Sequence, residues 1–296
     1  MSLAFNAEHR AALGAWIAGR LGGSRVQVTD IKLLPGGAIQ ENWLINCAVG
    51  AGSETRAYVL RRNAVATIGS SRPLAQEFAV IERAHEAGVL VPTPIGYCDD
   101  PGVVGECFSM VAAVAGVGLG PRIVKDMSLG GDRAALAARL GLELAKIHAI
   151  RSPQAGLEFL GPPPDDPGRA VVADLRASLD RLGAARPTLE WGLRWADLHA
   201  PDRPRICLVH NDFRTGNYMV DRNDLTAILD WEFAGWSDRL EDLGWFCASC
   251  WRFGQLAKEA GGIGSRAALY RGYERIYGQP LAREQVYYWE VYAHMR

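Results

Sequence analysis

A change in the sequence pattern near residue 113 constrains the fold more than any other feature of this chain. Before that point, five segments have the alternation or apolar character of β-strands, at residues 25–34, 39–49, 55–63, 91–98 and 107–114. One helical segment lies between the third and the fourth of these strands, and an amphipathic helix over residues 8–22 precedes them all. After residue 113, helical periodicity dominates, with short strand-like segments at 205–210, 217–221 and 225–231. The pattern predicts an α+β protein with a small, mostly antiparallel β-rich part, residues 1–113, and a larger, mainly α-helical part, residues 114–296.

The composition is typical of a protein with a sizeable hydrophobic core. Of the 296 residues, 49% are hydrophobic, and the net charge is −1. Such a charge balance does not predict binding to nucleic acid. Neither a secretory signal nor an apolar run of membrane-spanning length is recognisable, and most of the six cysteines lie in apolar runs typical of reduced thiols. We therefore expect a cytoplasmic protein that binds neither nucleic acid nor membrane, with its oligomeric state left open.

Three polar residues in the last third of the chain have a spacing that suits chemistry on phosphate. Asp212 and Asn217 lie in the stretch HNDFRTGN between two apolar runs, and Asp230 ends the next strand. If the strands on either side of this loop pair as a small hairpin, the three side chains form one patch. Carboxylate and amide oxygens suit Mg²⁺, which takes few protein ligands and completes its shell with water and phosphate. We expect Asn217 and Asp230 to hold the metal and Asp212 to take the proton of an attacking hydroxyl, which indicates phosphoryl transfer from a nucleotide.

The same residues resemble a known family. An H-x-D-x-x-x-x-N loop followed by an aspartate on the next strand is the catalytic signature of kinases. The form here, HNDFRTGN and then DWE, resembles the aminoglycoside phosphotransferase and choline kinase-like family of the protein-kinase-like superfamily. The segments VPTPIGYC, DWEFAG and EDLGWF are similar to its branch that includes the kinase-like domain of multidomain acyl-CoA dehydrogenases. The resemblance implies a protein-kinase-like two-lobe fold, with a small antiparallel β N-lobe and a larger mainly α C-lobe, a ligand site in the cleft, and ATP-dependent phosphotransferase activity.

Roles for individual C-lobe residues follow from this resemblance. It implies that Asp212 is the catalytic base and that Asn217 and Asp230 are the Mg²⁺ ligands. Arg214 is a candidate catalytic cation near the transferred phosphate, with a plain salt bridge as the alternative.

Residues around this loop have more structural interpretations. His210 resembles the histidine that braces the loop, and Asn211 stands where the family usually has glycine, which asparagine can replace because it tolerates left-handed dihedrals. For Asp242, in EDLGW, capping of the following helix is a sufficient explanation, and His148 is expected to be a packed core histidine.

The N-lobe residues resemble a nucleotide-binding site with one departure. Arg61 stands where kinases have a lysine; arginine keeps the positive charge and can grip phosphate with two hydrogen bonds. Glu77 resembles the helix glutamate that pairs with this cation, and strand alternation places Arg61 and Arg62 on opposite faces. Gly36 and Gly37 resemble a short phosphate-covering loop whose amides can approach the phosphates. The hinge, whose backbone would meet the adenine, is implied to include Met110, Val111 and Ala113.

The acceptor of the phosphate is expected to be a hydroxyl group of a small molecule, bound between the helices of 131–200 and the final helices. No acidic cluster of the kind a polycationic aminoglycoside favours is recognisable there, whereas the acyl-CoA-dehydrogenase-linked branch suggests a hydroxylated acid or acyl thioester. ATP and GTP both stay open, because the hinge contacts are made by backbone. The alternative is a non-catalytic, pseudokinase-like nucleotide-binding protein: Arg61 supports it, and the intact motif residues favour an enzyme.

Overall fold

The computed structural model describes residues 5–35, 40–50, 54–63, 72–183 and 185–296. The chain divides into two compact units, Met1–His85 with Pro92–Val114 and Glu86–Val91 with Ala115–Arg296. The first contains an antiparallel sheet and the second is mostly helical, so the predicted α+β class is confirmed.

The N-terminal unit is built on a five-stranded sheet. In chain order its elements are α1 (Ala7–Arg20), β1 (Val26–Leu33), β2 (Gln40–Val49), β3 (Glu54–Asn63), α2 (Leu74–Glu86), β4 (Pro94–Cys98) and β5 (Phe108–Ala112). The strands run antiparallel in the order β1-β2-β3-β5-β4. Asn6 begins α1, since its side chain accepts a hydrogen bond from the N–H of His9 at 2.8 Å. Helical periodicity then places Leu13 and Ile17 in the core of this unit, in one buried cluster with residues of the sheet.

The C-terminal unit contains most of the helices. Its elements are α3 (Gly120–Lys125), α4 (Arg133–Ile147), α5 (Pro167–Leu182), α6 (Pro187–Leu198), β6 (Ile206–Val209), β7 (Tyr218–Val220), β8 (Leu225–Ile228), β9 (Gly235–Asp238), α7 (Leu240–Cys247), α8 (Arg266–Tyr277) and α9 (Arg283–Met295). Short 3₁₀ segments occur at Glu158–Leu160 and Ser249–Arg252. Within the described ranges, no helix has both the length and the apolar character needed to cross a membrane.

Helices α4 and α8 approach each other closely because glycine lies at their contact. A Cβ atom on Gly272 would lie 1.8 Å from the carbonyl oxygen of Ala138, and one on Gly141 would lie 2.0 Å from that of Leu269. Both distances are far below van der Waals contact, so this packing requires the absence of a side chain at both positions.

The predicted hairpin between the strands flanking the 210–217 loop was wrong. Strand β6 pairs with β9, and β7 pairs with β8. Local turn chemistry favours the second pairing, because the Asp221 carboxylate accepts hydrogen bonds from the N–H groups of Asn223 and Asp224 at 2.7 and 2.9 Å and closes a tight turn between β7 and β8. The 210–217 loop therefore connects two different pairs of strands.

Candidate active site

The loop between β6 and β7 takes its shape from one buried carboxylate on α7. Asp242 is fully buried and accepts hydrogen bonds from the backbone N–H groups of His210 and Asn211, at 2.7 and 2.8 Å, and from Nε2 of His148 at 3.0 Å. The expectation that Asp242 caps its helix was wrong: Arg239 is the N-cap residue, and the Asp242 oxygens bind the loop instead. Asn211 adopts a left-handed φ of 66°, the conformation that its residue type tolerates.

The charge on this carboxylate is stable in its buried position. Burial alone raises the pKa of Asp242, but the hydrogen bonds that it accepts from His148 and from the loop amide outweigh that effect and hold the pKa below its ordinary value. Burial lowers the pKa of His148, which favours a neutral imidazole. Nε2–H then donates to Asp242, and Nδ1 accepts from the hydroxyl of Tyr273 at 2.9 Å. An ionised Asp242 beside a neutral His148 therefore anchors the loop.

His210 connects the loop to the strand that leads to Asp230. Its Nε2 donates to the carbonyl oxygen of Leu229 at 2.9 Å, and its Nδ1 accepts from the N–H of Asp212 at 3.3 Å. The N–H of Leu229 donates to the carbonyl oxygen of Asn217 at 2.8 Å. Two backbone contacts thus hold the residue before Asp230 against the loop, and Asp230 itself adopts a left-handed φ of 69°. The geometry agrees with the bracing role that the resemblance implied for His210.

The Asp212 carboxylate is held by three donors. Nε1 of Trp245 lies 2.9 Å from Oδ1, and Nδ2 of Asn217 lies 2.6 Å from Oδ2. Nε of Arg214 lies 3.3 and 3.2 Å from the two oxygens, and its guanidinium carbon lies 4.6 Å from the ring centre of Trp251. Asp212 is only 8% exposed, so these contacts fix its orientation. The salt-bridge alternative for Arg214 is therefore present in the structure, and the ion pair brings its charge to the predicted base.

The residues expected to hold Mg²⁺ have a donor set that fits this ion. Asn217 uses Nδ2 for its side-chain hydrogen bonds, and no donor from the described residues reaches its Oδ1. Asp230 is partly exposed and offers a carboxylate one residue beyond Leu229. No group of three or more His, Cys, Asp or Glu side chains in the described part of the chain could hold a metal ion. One amide oxygen and one carboxylate nonetheless suit Mg²⁺, which takes few protein ligands.

A cavity of about 510 Å³ opens beside Asp212. This volume lies in the range of small-molecule sites. The helices of 131–200, which we expected to form one wall, contribute none of its lining residues, and α9 contributes the wall expected of the final helices. A second, largely apolar recess of about 240 Å³ lies between α5, α6 and the end of α9. The cavity beside Asp212 is lined by Asp212, Arg214, Phe233, Trp245, Cys250, Trp251, Ala293, His294 and Arg296.

Several of these lining residues were not predicted from the sequence. Arg296 donates from Nη1 to the carbonyl oxygen of Asn211 at 2.9 Å, and its guanidinium carbon lies 4.6 Å from the ring centre of Trp245. The segment EDLGWF was the only available signal for Trp245, and nothing in the local pattern distinguishes Trp251 or His294 from core residues.

The expected cation–glutamate pair of the N-terminal unit is formed. Nη1 of Arg61 lies 2.5 Å from Oε1 of Glu77, which is 1% exposed and also accepts from Nε2 of Gln40 at 3.1 Å. Arg62 points to the other face of β3 and pairs with Glu41 at 2.8 Å, as strand alternation predicts. The predicted phosphate-covering residues, Gly36 and Gly37, lie outside the described residues.

The predicted hinge residues lie along and just beyond β5. The side chain of Met110 is fully buried in the core of the unit, and Val111 pairs with residues of both β3 and β4. The N–H of Ala113 donates to the carbonyl oxygen of Ala57 at 2.9 Å. Because the N–H group of Ala113 already donates to the sheet, it is not available to donate a hydrogen bond to adenine.

Comparison with known proteins gives relatives for both sequence and fold. A model of the phosphotransferase enzyme family, APH, matches residues 30–278. Acyl-CoA dehydrogenase family member 10 of Mus musculus is 29% identical over 199 residues, which cover 65% of this chain and 18% of that protein. The chain thus spans about a fifth of the length of this relative.

Two solved structures illustrate the shared fold. A Ralstonia eutropha protein assigned to the aminoglycoside phosphotransferases has a TM-score of 0.68 and 21% identity, covering 96% of this chain and 84% of its own. A thermostable mutant of the aminoglycoside phosphotransferase APH(4)-Ia, in a ternary complex with AMP-PNP and hygromycin B, has a TM-score of 0.56 and 16% identity, covering 96% and 88%. The predicted protein-kinase-like fold is confirmed by these similarities. Since the family model covers most of the sequence, the chain belongs to the APH phosphotransferase enzyme family.

Proposed function

We propose that this protein transfers the γ-phosphoryl group of ATP to a hydroxyl group of a small molecule. The observation that carries the proposal is the Asp212 carboxylate, which is held by Asn217 at 2.6 Å and lines a cavity of ligand size. Family membership supports the same class of reaction. GTP is the alternative donor, because nothing in the side chains described distinguishes the two bases.

Asp212 is proposed to accept the proton of the attacking hydroxyl. An oxygen of its carboxylate must lie within hydrogen-bond reach of the hydroxyl, and the residue lines the cavity in which an acceptor would bind. Its two shortest contacts come from Trp245 and Asn217, and neither donor carries a charge. The charged donor, Arg214, lies farther from the carboxylate, at 3.2 and 3.3 Å from its two oxygens.

Asn217 Oδ1 and the Asp230 carboxylate are proposed to hold Mg²⁺. When bound, the ion would neutralise charge on the phosphate oxygens of the nucleotide. The hydrogen bond from Asn217 to Asp212 couples the two assignments, because the same side chain orients the base through Nδ2 and offers Oδ1 to the metal.

The positive charges for the phosphates are proposed to come from Arg61 and Arg214. Glu77 holds the Arg61 guanidinium, as the glutamate of related kinases holds a lysine. Arg214 contacts both oxygens of Asp212 at distances longer than those of the other donors, so a phosphate could draw it away. The related APH(4)-Ia was solved with AMP-PNP, which supports adenine nucleotide as the donor.

The acceptor is proposed to carry a negative group: the carboxylate of a hydroxylated acid, or the phosphates of coenzyme A in an acyl thioester. Arg214 and Arg296 line the cavity, and Asp212 is its only acidic residue among those described. A polycationic aminoglycoside would meet side chains of its own charge there. The similarity to an acyl-CoA dehydrogenase family member is compatible with an acyl-bearing acceptor.

Thermal unfolding with ATP or GTP, with and without Mg²⁺, tests nucleotide binding. A ligand that binds only the folded state raises the midpoint, so we expect a rise that requires Mg²⁺ and disappears in Asp230→Ala. Asp212→Asn should keep this rise and lose phosphate transfer. If both nucleotides fail to change the midpoint, the phosphotransferase proposal is wrong; a rise without phosphate transfer to any acceptor would favour the pseudokinase-like alternative.

A screen of acceptors tests the substrate class. Release of ADP would be measured with hydroxylated carboxylic acids, their thioesters, uncharged alcohols and kanamycin. We expect turnover with the acids or thioesters, reduced by Arg296→Met. Turnover with kanamycin alone would contradict the anionic acceptor and leave the phosphotransfer itself intact.

A further inference from the structure

Helix α7 contacts the 210–217 loop through two residues one helical turn apart. Asp242 and Trp245 are three positions apart and so lie on the same face of the helix. Asp242 holds the backbone of His210 and Asn211, and Trp245 reaches the side chain of Asp212. One rigid helix therefore fixes both the path of the loop and the carboxylate that it presents.

Trp245 is built into the wall of the cavity beside Asp212. It is 9% exposed, and its Nε1–H donates to Asp212 Oδ1 at 2.9 Å. The Arg296 guanidinium lies over its ring, and the ring of Trp251 contacts it at a centre-to-centre distance of 5.3 Å. These contacts limit the rotation of the indole, so the direction of its N–H bond is fixed.

We propose that Trp245 is a positioning residue for phosphoryl transfer, which holds the Asp212 carboxylate in the orientation needed to accept a proton. The inference rests on the proposed function and adds a residue to it. Asn217 binds Oδ2 and Trp245 binds Oδ1, so the carboxylate cannot rotate without breaking one of the two bonds.

An indole suits this position for chemical reasons. It is a donor only and does not titrate, so it can neither take the proton intended for Asp212 nor add a cation beside it. A carboxylate has about four acceptor positions, of which Trp245 and Asn217 take one on each oxygen. Arg214 takes the others through its longer contacts of 3.2 and 3.3 Å and is the partner that an incoming hydroxyl would replace.

The chain offers a matched control for the loss of this hydrogen bond. Trp289, on α9, packs against the backbone of α7 at Gly244 and is fully buried, but no partner among the described residues accepts a hydrogen bond from its Nε1. Trp245→Phe and Trp289→Phe make the same change of side chain, one on each of these two helices. Only the first removes a hydrogen bond to Asp212.

The experiment measures release of inorganic phosphate from ATP in the presence of Mg²⁺, with water as the acceptor, for the full chain. A hydrogen bond to a charged group contributes about 1.5–3 kcal/mol, so we expect Trp245→Phe to lower kcat by roughly 10- to 100-fold, with KM for ATP within about twofold of wild type. Trp289→Phe should lower the unfolding midpoint, as Trp245→Phe does, but should leave kcat unchanged. Equal kcat values for the two variants would overturn the proposal.

A second readout does not depend on turnover. In NMR spectra of protein labelled with ¹⁵N-tryptophan, the indole N–H resonance of Trp245 is identified as the one that is present in wild type and missing in Trp245→Phe. It should move upfield in Asp212→Asn, whose side chain is a weaker acceptor, while the Trp289 resonance stays in place. If the Trp245 resonance does not move, the hydrogen bond is absent and the proposal is wrong. If it moves but wild type and Asp212→Asn release phosphate at the same rate, the failure lies in the role proposed for Asp212 and removes the positioning role with it.

Discussion

The substitution Asp242→Asn gives the sharpest test of how the candidate active site is held together. Asparagine keeps the shape of the side chain but replaces one carboxylate oxygen with an NH₂ group. In the structure, both oxygens accept: Oδ1 from the N–H of Asn211, and Oδ2 from the N–H of His210 and from Nε2 of His148. An amide can satisfy only one of these two sides, and its NH₂ group then faces buried donors on the other.

The expected cost follows from the number and the burial of these contacts. Hydrogen bonds to a charged group contribute about 1.5–3 kcal/mol each, and a buried donor left without an acceptor costs about 1–3 kcal/mol. Asp242 is 0% exposed, so water cannot replace the lost acceptor. We therefore expect Asp242→Asn to lower the free energy of unfolding by roughly 3–5 kcal/mol, a large part of the roughly 5–15 kcal/mol typical of folded proteins.

The neighbouring residue Glu241 provides a control of opposite character. It is also buried on α7, but burial raises its pKa to about 7, and the hydroxyl of Ser237 donates a hydrogen bond to its carboxyl group. A raised pKa in the folded state means that its contribution to stability is present below the ordinary value of 4.5 and is lost as the pH rises through about 7. At about 1.4 kcal/mol per pKa unit, the rise from 4.5 to about 7 corresponds to a loss of roughly 3 kcal/mol in the free energy of unfolding by pH 8.

The assay is urea unfolding of wild type, Asp242→Asn and Glu241→Gln at pH 5 and pH 8. Asp242→Asn should lower the midpoint by about 1 M or more at both pH values. Glu241→Gln should change little at pH 5 and should stabilise the protein at pH 8, because the neutral amide avoids the buried charge. The reasoning is refuted if Asp242→Asn costs less than about 1 kcal/mol, or if Glu241→Gln is as destabilising as Asp242→Asn at pH 8.

Three further predictions concern packing, nucleotide affinity and catalysis. Gly272→Ala should destabilise the protein by about 2 kcal/mol or more, because its Cβ would lie 1.8 Å from the carbonyl oxygen of Ala138. Gly19→Ala, which has open space around it in α1, should stabilise the protein by up to about 1 kcal/mol. Thermal unfolding of the two variants measures both effects. Arg61→Met should raise the Kd for ATP in the presence of Mg²⁺ by roughly 10- to 100-fold, and titration calorimetry that gives an unchanged Kd would remove this residue from the phosphate site. Arg214→Met should lower kcat for phosphate release by at least about 10-fold while the Kd for ATP stays within about twofold, and a change confined to Kd would contradict its assignment to catalysis.

The sequence alone determined those features that depend on near neighbours. Apolar periodicity located α4, α8 and the strands of the N-terminal sheet, because it records which face of a segment is buried. Alternation along β3 correctly separated Arg61 from Arg62. The expected contact between Asp212 and Asn217 is present, but it forms within the loop and not through the hairpin from which it was predicted.

Only the tertiary structure decided what meets this loop from elsewhere in the chain. The residues that hold it, Asp242 and Trp245, are separated from their partners by 31 to 33 residues. Their contacts depend on how α7 packs, and no local pattern encodes that packing. The sequence suggested a cap for Asp242 and a hairpin between β6 and β7, and neither is present in the structure. Chain-distant contacts replaced the cap and paired β6 with β9, whereas the shorter turn paired β7 with β8. A buried carboxylate and buried strand edges are stabilised by whichever donors the fold brings to them.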